Sequence, residues 1–146
     1  MAPRQPGTYV LLMRLRQGVA VDVARLGRFH FVAGWYAYAG GARGPGGLAA
    51  RVGRHLRPDK GAHWHVDYLR PHTELTAVWY TVGSQKRECD WAQALSGLPG
   101  AHVVAPGFGA SDCRCHTHLL GFPVAPDLSM FARSVDDRVW EDPFNA

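Results

Sequence analysis

At 146 residues the chain is long enough for one domain with a real core and too short for two, and its 47% hydrophobic and 19% charged composition is that of an ordinary soluble globular protein. The opening apolar run is only a few residues long and is interrupted by Arg14, so neither a secretory signal nor a membrane span is expected and the expected compartment is the cytoplasm. A net charge of +4, with a pI of about 9.3, suits a polyanionic partner. The cysteines, Cys89, Cys113 and Cys115, are odd in number, which argues against a disulfide framework and leaves reduced thiols or a metal site.

In chain order, Gly7 to Gly18 alternates well enough to read as a strand, with Tyr9, Leu11, Met13 and Leu15 on one face. Two shorter strands are expected at Val19–Val23 and Trp35–Ala39, with less regular chain between them. Gly46 to Arg57 reads as a helix whose Leu48, Val52 and Leu56 form one apolar stripe, and Pro58 ends it. His63-Trp64-His65 opens a short segment that reads as a helix. Glu74 to Gly83, rich in β-branched and aromatic residues, is the clearest strand. A helix capped by Ser84 and stopped by Pro99 and Gly100 follows. Ala101 to Phe122 is loop and short strand, and the tail after Pro123 is weakly patterned. Trp35, Trp64, Trp79 and Trp91 read mostly as core. The expectation is one α+β domain over residues 1–146, with a central, mostly antiparallel three-stranded sheet flanked by helices.

The loop "GGARGPGG" gathers backbone N–H groups between a strand and a helix, a common place to hold phosphate. It lacks the Lys-Ser/Thr pair of a Walker loop, and its glycines are spaced wrongly for a dinucleotide fingerprint. On the helix behind it, Arg51 and His55 are four apart and share a face beside the apolar stripe. Arg51 there can clamp a phosphate, or it can serve a structural carboxylate while His55 sits wet on the surface.

The order of Gly7-Thr8-Tyr9, Tyr38-Ala39-Gly40, a helix with Arg51 and His55, and a glutamate on a later helix resembles the GIY-YIG nuclease superfamily. The blocks "GWYAYAGGA", "GPGGLAARVGRHLR", "HWHVDYL", "EC.WAQAL" and "GFGASDCRCHTHL" look most like its Uri-type endonuclease branch. The likeness covers about residues 7–122 and leaves the tail, 123–146, unexplained. By that resemblance, Tyr9 positions or activates the attacking water and Tyr38 lies in the same pocket. Arg51 binds the scissile phosphate, His55 is a base or an orienter, and Glu88 holds a single Mg²⁺ or Mn²⁺ ion. Gly40, Arg43, Arg54 and His65 are expected to meet the substrate. Where some relatives carry a lysine after the second motif this chain has Gly41, with Arg43 as its substitute, and Asp112 stands in for a late asparagine.

The chemistry is coherent for phosphodiester hydrolysis. A carboxylate-held ion and Arg51 neutralise charge on the phosphate, and either His55, titrating near neutrality, or a Tyr9 hydroxyl acidified by cations takes the proton. The expected activity is therefore metal-dependent endonuclease action on nucleic acid, DNA ahead of RNA. The resemblance, whose branch includes fusions to endonuclease III-type glycosylases, implies DNA repair. Two other readings remain: a non-catalytic nucleic-acid-binding module of the same fold, and a zinc-stabilised interaction protein. For the last, Cys89, Cys113, Cys115 and His118 offer a ligand set for structural zinc; otherwise Cys89 is a small buried hydrophobe.

Overall fold

The computed structural model describes residues 1–57, 61–110, 113 and 115–144. Pro58 and Asp112 lie outside the described residues. In β1 (Gly7–Leu15) both faces are apolar. Tyr9, Leu11, Met13 and Leu15 enter one buried cluster, while Val10 and Leu12 enter another. A strand with two apolar faces belongs between two covering layers. Accordingly, β1 is the middle of a five-stranded antiparallel sheet, flanked by β4 (Gly34–Ala42) and β5 (Glu74–Val82).

The edges of that sheet are β6 (Leu119–Phe122), paired with β4, and β7 (Trp140–Pro143), paired with β5. Three strands were expected in the sheet and five are present. The two additions are four residues each, too short for alternation to announce them. A separate hairpin joins β2 (Val19–Val23) to β3 (Gly27–Phe31). Its turn uses Ala24 at φ 44° and Gly27 at φ 128°, and the Leu26 N–H closes it on the Val23 carbonyl at 2.9 Å.

One face of the sheet is covered by the hairpin, by α1 (Gly47–His55) and by α2 (His65–Leu69), through Val21, Phe31, Leu48, Val52, Val66 and Leu69. The apolar stripe of α1 stops at Val52, because Leu56 is 40% exposed just past the helix end. The opposite face is covered by α3 (Glu88–Ser96) and α4 (Leu128–Ser134), through Trp91, Leu95 and Phe131. Phe131 packs between Trp79 and Trp91, with ring centroids 5.2 and 5.0 Å away. Trp79 and Trp91 are core, as expected; Trp35 and Trp64 are only partly buried and lie under arginines.

Ser84 does not cap α3. The helix begins four residues later, after Arg87, whose side chain makes no cap hydrogen bond. The tail sets the start instead. The Asp137 carboxylate accepts from Arg87 Nε at 3.0 Å and from the indole N–H of Trp91 at 2.8 Å. The segment that sequence patterning left unexplained therefore fixes where Glu88 stands. Within the tail, α4 has its own cap: Asp127 accepts from the N–H groups of Ser129 and Met130 at 2.7 and 3.3 Å. Among the described residues no helix is long and apolar enough to cross a membrane.

Candidate active site

The pairing of β1 with β4 places Tyr9 opposite Gly40 and Leu11 opposite Tyr38, so both tyrosines share one face of the sheet. The glycine at 40 is required by the neighbouring ring, since a Cβ there would lie 2.6 Å from the Tyr9 ring and hydroxyl. Gly109 plays the same part for Tyr38. It has φ +70°, and a Cβ on it would come 2.8 Å from the Tyr38 ring. Its N–H donates to His65 Nδ1 at 2.8 Å, so His65 holds the wall of the cleft through one ring nitrogen.

Helix α1 brings two groups to this face. His55 is buried rather than wet, at 2% exposure, and its Nε2 shares a 2.8 Å hydrogen bond with the Tyr9 hydroxyl. Burial pulls the imidazole down from 6.5 to about 4, with Asp67 opposing and the charges of Arg51, Arg54 and Arg70 assisting. Burial pushes the Tyr9 hydroxyl up to about 12, against the pull of Arg51. Both shifts correct the sequence expectation: His55 does not titrate near neutrality, and desolvation outweighs the cations that were expected to acidify Tyr9. The pair rests neutral. Burial raises the Tyr38 hydroxyl as well.

Arg51 is held on two sides. Its Nη1 donates to the Gly41 carbonyl at 2.7 Å, and its guanidinium lies 4.2 Å above the Trp64 ring. Arg54 lies over the same ring at 4.7 Å, but Asp67 already neutralises it at 2.6 Å. Burial opposes the charge on Asp67, yet the N–H groups of Trp64 and His63, together with Arg54, hold its carboxyl below the usual carboxylate range. Arg54 thus braces the Trp64 platform, and the substrate contact expected of it has its charge already matched.

Glu88, the first residue of α3, faces the cleft as one half of a bidentate pair. Arg43 Nη1 and Nη2 donate to its two oxygens at 2.7 and 2.5 Å. Burial opposes ionisation of Glu88, but Arg43 and the backbone N–H groups at the helix start win and keep it an anion. Tyr9, Tyr38, Gly40, Arg43, Arg51 and Glu88 line one cleft of about 350 Å³. Lys86 and Trp64 line it too. Sequence reading missed Lys86 because it looked for a lysine beside Gly41, whereas this one enters from the segment before α3.

Beside Glu88, Cys89, Cys113, Cys115 and His118 bring one ligand atom each to within 4.8 Å of one another, a cluster that could bind a metal ion. Cys89 and Cys115 are also within disulfide contact, their Cα atoms 6.0 Å apart, a pairing the odd cysteine count argued against. The cluster favours zinc over magnesium, because soft thiolates are poor ligands for a hard ion.

The family model described as "Domain of unknown function DUF123" matches residues 8–139, and the chain belongs to that family. No curated protein and no solved structure matches it.

Proposed function

We propose that this member of the DUF123 family is a divalent-metal-dependent endonuclease that hydrolyses phosphodiester bonds in DNA, built on the GIY-YIG plan that its motifs resemble. The observation that carries the reading is convergence. Tyr9, Tyr38, Arg43, Arg51, Lys86 and Glu88 come from separate stretches of chain to line one cleft. A packed core alone has no need of an anion, three cations and two tyrosines in one place.

Glu88 fits a hard cation. It is a half-buried carboxylate kept ionised, the ligand type that such an ion takes, and Arg43, which holds both of its oxygens in the resting chain, would have to give way to the ion. Glu88 would hold Mg²⁺ or Mn²⁺, which would supply neutralisation of the charge that develops on a phosphate. The chain's own groups do the rest. Arg51, fixed by Gly41 and Trp64, presents its remaining N–H groups to a phosphate as a preorganised cation. Lys86 adds a further positive charge to the cleft. Tyr9, neutral and tethered to His55, orients an attacking water by hydrogen bonding rather than acting as a resting base. Arg43 balances Glu88 in the resting chain. A nucleic-acid partner, and a role in DNA repair, belong to this reading.

The test is cleavage of single-stranded, duplex, abasic, flap and branched DNA, and of RNA, with Mg²⁺, Mn²⁺ or EDTA, for the wild type and Glu88→Gln. Cutting that needs the ion and falls on the order of 10²-fold or more in Glu88→Gln supports the reading. Cutting indifferent to EDTA and to Glu88→Gln refutes it. Salt-dependent binding without cutting on any substrate assigns the cleft to nucleic-acid binding alone.

A further inference from the structure

The thiol cluster next to Glu88 is built from three pieces of the fold. Cys89 stands in the first turn of α3, Cys113 and Cys115 precede β6, and His118 lies at the entrance to β6. His118 is held firmly. Its backbone N–H donates to the Phe108 carbonyl at 2.8 Å and its carbonyl accepts from the Ala39 N–H at 2.9 Å, so the main chain that carries the ring is fixed against the edge of β4. Its Nε2 is 3.6 Å from the Cys89 sulfur and 3.4 Å from the Cys113 sulfur. Tetrahedral zinc with ordinary Zn–S and Zn–N bonds sets a sulfur and an imidazole nitrogen roughly 3.5 Å apart. A disulfide between Cys89 and Cys115 would employ two of these groups and leave no reason for Cys113 and His118 to converge on the same point.

We propose that Cys89, Cys113, Cys115 and His118 bind one structural Zn²⁺ ion. Three thiolates and one neutral imidazole saturate the tetrahedron, so the ion has no open position for water or substrate. It acts as a cross-link. Cys89 follows Glu88 directly, and His118 is packed against Gly109, whose backbone closes over Tyr38. The ion therefore ties the start of α3 to the wall of the cleft, setting the distance between Glu88 and Tyr38. Small folds commonly gain such rigidity from a metal clip where a larger core would supply it.

The experiment is metal analysis of the untagged full chain, purified under reducing conditions without chelator. One zinc per chain is expected. Replacement by Co²⁺ should give the intense visible bands of a tetrahedral thiolate site. Cys113→Ser should lose the zinc, whereas a bare Cys89–Cys115 disulfide would leave that variant unaffected. Should Cys113→Ser not fold, the wild type answers instead: a mercurial added stepwise should release the zinc as three thiols react. Metal-free protein overturns the proposal, whether it shows three free thiols or the mass loss of a disulfide. None of these readouts needs cutting, and Glu88→Gln should retain its zinc, so failure here and failure of the nuclease reading are distinguishable.

Discussion

His55 makes the fold sensitive to mild acid in a calculable way. In the folded chain its imidazole resists protonation until about pH 4, whereas the unfolded chain takes up the same proton near 6.5. Between those values the unfolded state holds more protons, so acid favours it. Stability is complete above 6.5, falls as the pH drops through this window, and levels off for this group below about 4. At about pH 4.5 the loss assignable to His55 comes to about 2.5 kcal/mol, a large share of a marginal folding free energy. Other groups titrate as well, Asp67 and Glu88 among them, so the assay is a double difference. Urea unfolding of the wild type and of His55→Gln is measured at about pH 7.5 and again at about pH 4.5. The variant carries no titrating ring, and its packing defect cancels between the two conditions. The wild type should lose about 2.5 kcal/mol more than the variant on acidification. Equal losses in the two proteins would refute the reasoning, as would an imidazole resonance of His55 that titrates near 6.5.

Arg51→Lys should lower cutting by on the order of 10²-fold while unfolding in urea shifts little, because an ammonium cannot both bond the Gly41 carbonyl and lie flat on Trp64. Gly40→Ala should cost about 1–3 kcal/mol and displace the Tyr9 ring, seen as a changed Tyr9 environment in near-UV circular dichroism or NMR. Phe131→Ala, which empties the space between Trp79 and Trp91, should cost about 3–5 kcal/mol in the same unfolding assay and alter tryptophan fluorescence. A loss below about 1 kcal/mol there would mean that α4 contributes little to the core.

Long periodic segments were legible in the sequence. The strands β1 and β5 and the helix α1 appear where alternation, β-branched and aromatic content, and the i, i+4 stripe respectively put them. Segments whose shape comes from distant partners were not. The start of α3 depends on Asp137, fifty positions from Arg87, which no local cap signal at Ser84 could reveal. The strands β6 and β7 exist because β4 and β5 offer open edges. Tyr9, Tyr38, Arg51 and Glu88 were singled out through the resemblance of their motifs to a known family, and the four line one cleft. What sequence could not supply was the environment: the burial that keeps His55 neutral, the pairing of Arg43 with Glu88, and the aromatic platform under Arg51.

The central position of β1 carries a consequence for how the cleft comes apart. Tyr9 lies in a strand hydrogen-bonded to β4 on one side and β5 on the other, with covering layers above and below. Amides in a strand flanked and covered in this way are expected among the last to exchange with solvent, because the opening that frees them disrupts the centre of the sheet. The tyrosine at the floor of the cleft is thus expected to belong to the slowest-exchanging unit of the fold, undisturbed by partial openings elsewhere. A denaturation curve followed through the Tyr9 amide and one followed through global unfolding should superimpose. Heat or denaturant will then remove this part of the site in a single cooperative step, not by gradual loosening.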